Sequence, residues 1–209
     1  MVKKALIVIF LILIIDQIFK FWVKTHMYLG EEYHVFGNWF LIHYTENEGM
    51  AFGMKLGGHS GKLVLSIFRI IAVILIGIYL YSLTRKETKT GLIICISMIF
   101  AGALGNIIDS SLYGLLFSES SYHNHQVAVF LPEGGGYSTF LHGRVVDMLY
   151  FPLIEGRFPE WLPIWGGNDF IFFRPVFNIA DSSITIGVFI LIIFQRRFFR
   201  KLDRVPENS

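Results

Sequence analysis

The chain has 209 residues, of which 54% are hydrophobic and only 16% are charged, with a mean hydropathy of +0.56. Soluble domains carry about 25% charged residues, so this composition excludes an ordinary soluble domain and predicts an integral membrane protein. The net charge of +2 is too small to indicate nucleic acid as a partner.

Four apolar stretches have the length of about 17–25 residues that crosses the hydrocarbon layer of a bilayer. They predict an all-α membrane protein with four transmembrane helices in a single membrane domain, residues 1–209. The first stretch follows two lysines, as in a signal peptide, but no small-residue cleavage site follows it, so we expect it to be retained. The only cysteine, Cys95, lies in the third stretch and is expected to be a buried structural thiol. The predicted spans are 5–23, 63–83, 91–108 and 176–194.

The distribution of Lys and Arg predicts the orientation of these spans. Basic residues concentrate at the N-terminus, in the short connection after the second span and in the C-terminal tail. By the positive-inside rule, both termini are expected in the cytoplasm, with the chain in the inner membrane. The long segments 24–62 and 109–175 then face outward. Their aromatic residues predict interfacial loops, with a β-prone stretch at 38–45, whereas the polar segment 118–139 is expected to be an exposed, mobile insertion.

Four aspartates lie in or beside the predicted spans, and this topology brings all four toward the outer face. Asp16 is followed one helical turn later by Lys20, so the two side chains can pair. Asp109 ends the third span, where it can bond backbone groups. Asp181 lies near the start of the last span, and a charged side chain costs roughly 2.5–3.5 kcal/mol at the bilayer centre. The fourth acid is Asp147, in the second outer segment.

Asp147 and Asp181 are the strongest candidates for chemistry. At about 4 Å, two carboxylates repel by roughly 4 kcal/mol at an effective dielectric constant of 20. This repulsion would separate their titrations by about 3 pK units, so that the pair shares one proton near neutral pH. The ionised member could activate water, and the protonated member could donate to a peptide carbonyl oxygen. The pair therefore predicts an aspartic endopeptidase that needs no metal and no cofactor, although Arg144 could instead pair with Asp147.

Two other classes of function stay open on the residues alone. A transporter or channel subunit would use intramembrane acids to bind ions or protons. A metal-dependent lipid-head-group enzyme would use the acids to hold Mg²⁺. The acids that would bind this ion are Asp109, Asp147 and Asp181.

Two polar features have no clear place in these alternatives. Arg69 lies within the second span, where it must face the bundle interior or extend to the interface. His123 and His125 lie in the polar insertion without a neighbouring carboxylate or cysteine cluster, so they indicate no metal site.

Five short motifs resemble those of the bacterial lipoprotein signal peptidases, the signal peptidase II family. Each motif is weak alone, but five in order on four spans make a specific match. The resemblance covers the spans and the motifs, not the insertions. The motifs are Asp16-Gln17-Ile18-Phe19-Lys20, Asn47-Glu48-Gly49-Met50-Ala51-Phe52, Gly102-Ala103-Leu104-Gly105-Asn106-Ile107-Ile108-Asp109, Gly143-Arg144-Val145-Val146-Asp147 and Phe177-Asn178-Ile179-Ala180-Asp181-Ser182-Ser183-Ile184.

The resemblance implies an intramembrane aspartyl endopeptidase with Asp147 and Asp181 as its catalytic pair. Its substrate would be a prolipoprotein already diacylglycerylated on its lipobox Cys, and cleavage would fall just before that Cys. Membrane lipid and this substrate are the implied partners, and a monomer is expected. The family also builds a small outward-facing β-cradle from its first outer loop. The positions implied to hold the substrate or support the pair are Asn47, Gly49, Asn106, Asp109 and Asn178, with Asp16 and Lys20 more structural.

The chain departs from the family pattern in two ways. The family usually has Arg directly after the acid that matches Asp109, and this chain has Ser110. We expect Arg144, which is close in sequence to the catalytic pair, to replace that cation. The insertions at 110–142 and 152–174 have no assigned role. Because of the missing Arg, an inactive relative that only binds lipoproteins is a further alternative.

Overall fold

The protein combines a bundle of apolar helices with a small antiparallel sheet at one end of the bundle. This architecture comes from a computed structural model. It describes residues 1–48, 58–86, 88–152, 154–172 and 175–199.

Among the described residues, three helices are long and apolar enough to cross a membrane, so the chain is a multi-pass membrane protein. They contain the first three predicted spans, and those predictions are confirmed. The helices are α1 (Val2–His26), α2 (Gly58–Thr84) and α3 (Thr90–Ile108).

The fourth predicted span, 176–194, is only partly helical. It contains helix α5 (Ile179–Ile193), which a short strand precedes and helix α6 (Gln195–Phe199) follows. With a rise of about 1.5 Å per residue, α5 is about 22 Å long, which is less than the roughly 30 Å of a hydrocarbon core. A complete fourth crossing therefore stays a prediction.

The distribution of side chains in α1 is the reverse of that in a soluble protein. Asp16 and Lys20 are fully buried, whereas Phe10 and Ile18 are 63% and 61% exposed. In a bilayer the exposed surface faces lipid, so apolar side chains belong outside and charged ones must find partners inside. Because charged side chains are kept away from the lipid-facing surface, they collect in a compact polar centre inside this apolar chain.

Small residues let α3 and α5 approach each other closely. A Cβ atom at Gly102 would lie 2.3 Å from the backbone oxygen of Ala180, and one at Gly105 would lie 2.9 Å from a carboxylate oxygen of Asp16. A larger residue at Gly102 would push α3 and α5 apart, and one at Gly105 would press against Asp16 of α1. Small residues at helix interfaces have this use in membrane proteins generally, and here they bring the start of α5 against the polar centre.

Within the part of the chain that the structure describes, the sheet has four antiparallel strands, which lie in the order Glu32–Phe36 (β1), Phe40–Asn47 (β2), Val145–Tyr150 (β3) and Val176–Phe177 (β6). The β-prone stretch at 38–45 largely forms one of these strands, as predicted. Asp147, expected in a loop, instead lies in a strand directly opposite Thr45. Its strand neighbours Val146 and Met148 point to the other face and join the apolar core. Strands β4 (Ile154–Arg157) and β5 (Asp169–Phe172) form a separate hairpin.

The segment 118–139 is largely exposed, as its polarity predicts, but it is also anchored to the rest of the protein. The chain after α3 forms a π-helical turn (Asp109–Tyr113) and helix α4 (Gly114–Leu116), and then folds back against α1 and β2. Ser120 and Ala128 are buried. A Cβ atom at Gly136 would lie 2.1 Å from a backbone oxygen of the α4 turn, so this glycine permits close packing rather than flexibility.

Candidate active site

Asn178 positions the start of α5 and, with it, Asp181. The side-chain oxygen of Asn178 accepts a hydrogen bond from the backbone N–H of Asp181 at 2.8 Å, which is an N-cap interaction. Asp181 lies in the first helical turn, where the helix dipole favours a negative charge. Its side chain is half-buried. Asp181 is therefore held at the sheet end of the bundle.

Asp147 reaches the same place from the sheet. Its carboxylate is almost completely buried and accepts a hydrogen bond from the side-chain nitrogen of Asn178 at 2.7 Å. The side chain of Asn47, on the neighbouring strand β2, also bonds to Asp147. One asparagine, Asn178, thus contacts both aspartates, through its side-chain nitrogen and oxygen.

A second asparagine completes the connection between the two acids. The side-chain nitrogen of Asn106 donates to Asp181 at 2.8 Å. Its oxygen accepts from the nitrogen of Asn178 at 3.1 Å. Asp147 and Asp181 are far apart in sequence, but the structure brings them to the same pair of amides. The two acids are therefore linked by a continuous set of hydrogen bonds, and their action as one catalytic pair stays a prediction.

A buried ion cluster lies beneath this pair of amides. The ammonium group of Lys20 lies 2.9 Å from Asp16 and 2.7 Å from Asp109, and all three side chains are fully buried. It also donates to the oxygen of Asn106 at 3.0 Å. The predicted pair between Asp16 and Lys20 is confirmed, and Asp109 joins it across the bundle. Gln17 adds a hydrogen bond to Asp109 at 2.9 Å.

The ion cluster fixes the backbone at both candidate catalytic positions. Asp16 accepts a hydrogen bond from the backbone N–H of Ala180 at 2.9 Å, one residue before Asp181. Asp109 accepts one from the backbone N–H of Val146 at 3.3 Å, one residue before Asp147. The two acids of the cluster therefore each anchor the element that carries one candidate catalytic acid.

Asp147 lies outside the membrane-spanning helices, and its pKa is raised to about 7. Burial is the main cause, because a desolvated carboxylate loses its hydration, and the negative charge of Asp181 raises the pKa further. Hydrogen bonds from Asn178 and Asn47, together with the charge of Lys20, offset part of this rise. A carboxyl group with a pKa near 7 can both hold and release a proton at neutral pH.

The chain matches the model of a known protein family. The family model described as "Signal peptidase (SPase) II" matches residues 8–197. The chain belongs to the signal peptidase II family. The match spans α1 through α6 and includes every element that contributes to the site.

Relatives and solved structures support the membership in this family. The chain is 54% identical over 193 residues to a lipoprotein signal peptidase of Porphyromonas gingivalis, covering 92% of this chain and 81% of the relative. It is 38% identical over 190 residues to one of Amoebophilus asiaticus, covering 89% and 75%. A bacterial membrane enzyme solved by the in meso method at 1.9 Å resolution matches with a TM-score of 0.60 and 27% identity, covering 93% and 94%. These comparisons give the transporter alternative no support.

A second buried polar cluster lies on the opposite face of β2 from the candidate catalytic pair. Lys24 is fully buried and pairs with Glu46. Its ammonium also donates to the hydroxyl of Tyr44 at 3.2 Å, and that hydroxyl is 2.9 Å from Ser120. Lys24 was assigned to the outer segment from sequence, but it belongs to α1. The cluster ties α1, β2 and the 110–142 insertion together.

Arg144 belongs to this second cluster rather than to the catalytic pair. Its guanidinium donates to Glu46 at 3.1 Å and to Glu119 at 3.2 Å. Because an extended chain alternates the sides of successive residues, Arg144 and Asp147 point to opposite faces. These contacts correct the expectation that Arg144 replaces the family cation beside the pair.

Another cation, which sequence reasoning left without a role, acts on the two aspartates. Arg69 of α2 interacts electrostatically with Asp181, Asp147 and Asp109. The neighbouring turn of α2 is held by Ser66, whose hydroxyl donates to a backbone oxygen of the insertion at 3.0 Å. The signal for Arg69 was present in the sequence, because an arginine within an apolar span usually faces functional groups in the bundle interior.

The remaining candidates have simpler environments. Among the residues that the structure describes, no group of three or more His, Cys, Asp or Glu is placed to hold a metal. Asp109, a ligand in the Mg²⁺ alternative, forms an ion pair with Lys20 instead.

The other residues noted from the sequence lie away from the candidate active site or outside the described residues. His125 stacks on Tyr28 with ring centroids 4.3 Å apart. Cys95 is buried, as predicted. Gly49 lies outside the described residues.

Proposed function

We propose that this signal peptidase II family member is an aspartyl endopeptidase acting on diacylglyceryl-modified prolipoproteins. It removes the signal peptide by cleaving just before the lipidated Cys. Membership in the family supports the substrate class. The aspartyl mechanism rests on one observation: the carboxylates of Asp147 and Asp181 are linked through the hydrogen-bonded amides of Asn178 and Asn106, and the pKa of Asp147 is about 7.

In the first step, protonated Asp147 is the acid and ionised Asp181 is the base. Asp181 takes a proton from water as the water oxygen attacks the scissile carbonyl carbon. Asp147 gives its proton to the carbonyl oxygen, so the tetrahedral intermediate forms as a neutral diol. The assignment follows from the environments: Asp147 is the more deeply buried carboxyl group, and its raised pKa favours the protonated form.

In the second step, the tetrahedral intermediate collapses and the carbon–nitrogen bond breaks. Asp181 returns its proton to the leaving nitrogen of the lipidated Cys. Asp147 recovers a proton from one hydroxyl of the diol, which becomes the carbonyl of the new carboxyl group. Both aspartates thus regain their starting states, and the reaction consumes one water molecule.

Asn106 and Asn178 support the aspartates in this scheme rather than holding the peptide. Their amide groups are already engaged with Asp147, Asp181 and Lys20. Amides cannot titrate near neutral pH, so they fix the geometry of the carboxyl groups without competing for the shared proton. Asn47 has a similar position, since its bond to Asp147 stabilises the ionised form.

The proposed placement in the membrane follows from charge. Both termini lie in the cytoplasm, α5 completes the fourth crossing of the inner membrane, and the sheet forms a cradle on the outer side. A lipidated Cys stays anchored in the outer leaflet, so its peptide bond would meet the aspartates there. The low local dielectric constant strengthens the interaction between the two acids.

Reconstitution of the full chain with a diacylglyceryl prolipoprotein tests this function. The same precursor without its lipid is the matched control. Cleavage of the lipidated precursor alone supports the proposal, and failure to cleave it would refute the proposed activity. EDTA should leave turnover unchanged, because two carboxyl groups need no metal for this chemistry. Loss of turnover that Mg²⁺ restores would favour the metal-dependent alternative.

The pH profile should report the raised pKa of Asp147. Because protonated Asp147 is the acid, kcat/KM is expected to fall about tenfold per pH unit above about pH 7. Asn47→Ala removes a bond that lowers the pKa of Asp147, so the alkaline limb should move to higher pH. Asn38→Ala, at an exposed turn, is the matched control and should leave the profile unchanged. A limb that moves to lower pH in Asn47→Ala would contradict the assignment.

Arg69 and Arg144 should differ in their effects on turnover. Arg69→Met removes a cation that acts on both aspartates, and a loss of 1–2 kcal/mol of electrostatic stabilisation corresponds to roughly 5- to 30-fold in kcat/KM. Arg69→Lys keeps the charge and should recover part of the rate. Arg144→Ala should stay within a few-fold of wild type, because its guanidinium bonds glutamates instead. A larger loss of kcat/KM in Arg144→Ala than in Arg69→Met would instead indicate that Arg144 is the cation that supports the catalytic pair.

A further inference from the structure

The hairpin of β4 and β5 presents three large apolar side chains at its tip. The exposed fractions of Trp161, Ile164 and Trp165 are 78%, 88% and 57%. The hairpin lies within the 152–174 insertion, which the proposed chemistry does not use. Single exposed apolar residues are ordinary, but three within one loop mark a surface that contacts something other than water.

The tip is a folded loop rather than a loose one. The backbone N–H of Phe158 donates to Asn168 at 2.9 Å, and that of Gly167 donates to Phe158 at 3.0 Å. A Cβ atom at Gly166 would lie 2.6 Å from a backbone oxygen of Glu160, so the turn is tightly packed. The apolar side chains therefore point outward from a defined framework.

Ile164 has a backbone conformation that is unfavourable for its residue type. Its φ angle is +76°, a value that β-branched residues rarely adopt. Ile164 is also the most exposed large hydrophobic residue among those that the structure describes. Strained residues of this kind occur where the surrounding structure must present a side chain for a function.

The hairpin is attached next to the start of α5, where Tyr150 of β3 pairs with Val176 of β6. β3 ends at Tyr150 and β4 begins at Ile154, whereas β5 ends at Phe172 and α5 begins at Ile179. Both ends of the hairpin therefore join the chain close to the first turn of α5. Four residues of strand extend about 13 Å, so a tip on these strands can reach the boundary between headgroups and acyl chains.

We propose that this tip inserts into the lipid interface on the side of the membrane where the candidate active site opens. Tryptophan prefers this interface because its ring is apolar and its indole N–H still finds polar partners. The loop 158–168 contains only one charged residue, Glu160. The attraction is therefore apolar, and it does not depend on anionic lipid. This inference rests on the proposed function only for the side of the membrane that the tip contacts.

Tryptophan fluorescence tests this contact without measuring cleavage. The chain has four tryptophans, and Trp22→Phe with Trp39→Phe leaves only Trp161 and Trp165 at the tip. The full chain is reconstituted in phosphatidylcholine vesicles with or without phosphatidylglycerol. Lipids brominated on acyl carbons near the headgroup should reduce the emission at least about twofold, and to the same extent in both compositions. Iodide present on both sides of the membrane should quench weakly.

Other outcomes of the fluorescence experiment would overturn the contact. Strong quenching by iodide with none by bromolipid would place the tip in water. Resistance to both quenchers would place it against protein, either a second copy of the chain or another partner. Quenching by bromolipid only in anionic vesicles would contradict an apolar interaction.

A labelling experiment keeps the test independent of the tryptophan substitutions. Ile164→Cys in a Cys95→Ser background should react slowly with a water-soluble maleimide in vesicles. His123→Cys in the same background replaces an exposed residue of the other insertion, and it should react rapidly. Equal rates at the two positions would refute the lipid contact. Because neither experiment uses a substrate, an inactive protein would leave this test intact.

Discussion

Asp147→Asn and Asp181→Asn are each expected to lower kcat/KM for a diacylglyceryl prolipoprotein by at least about 10³-fold, which lies within the range assigned to acid–base groups. The substitutions preserve shape and hydrogen bonding. An amide oxygen at position 147 can still accept from Asn178, and one at position 181 can still accept from Asn106. The variants lose only the ability to hold and transfer a proton. The measurement is the initial rate of signal-peptide release by the reconstituted chain.

A control variant separates this chemical effect from a general loss of folding. Asp169→Asn makes the same change at an exposed position of β5 and should retain the wild-type rate. Thermal unfolding in detergent should show that Asp147→Asn and Asp181→Asn remain folded. Asp147→Asn should be no less stable than wild type at neutral pH, because the burial that raises the pKa of Asp147 disfavours its charge. A folded variant that keeps a tenth of the rate would refute the catalytic assignment.

The helices and the convergence of acids could be predicted because both depend on local pattern and on topology. Apolar length locates a membrane helix, and a charge within one implies a partner. The spacing of Asp16 and Lys20 was enough to predict their pairing, which the structure contains. The hydrogen-bonded link between Asp147 and Asp181 required only that both lie at the same end of the bundle.

The errors arose where tertiary contacts override local composition. The polar segment 118–139 resembles a solvated loop, but its Ser120 is buried against Lys24 and its Glu119 pairs with Arg144. Asp147 was expected in a loop because a short strand buried on both faces has no alternating pattern to reveal it. Arg144 was chosen for its closeness in sequence, whereas Arg69 is close through the packing of α2.

The position of Lys20 makes it the single residue on which both candidate catalytic elements depend. It neutralises Asp16, which bonds the backbone before Asp181, and Asp109, which bonds the backbone before Asp147. Removing the ammonium would leave two carboxylates with no solvent exposure and no opposite charge between them. The cost therefore falls on stability and on the geometry of both aspartates together.

Lys20→Met is accordingly expected to destabilise the protein by about 3–5 kcal/mol, the usual cost of removing one partner of a buried ion pair. For a chain of this size the unfolding temperature in detergent should fall by roughly 6–20 °C. Lys3→Met removes an exposed lysine from the same helix and should shift the temperature little. Adding Asp109→Asn to Lys20→Met leaves one uncompensated carboxylate instead of two, so the double variant should be more stable than Lys20→Met alone. If the second substitution instead adds its full cost to the first, Lys20 and Asp109 are not coupled, and the ion cluster does not link the two catalytic elements.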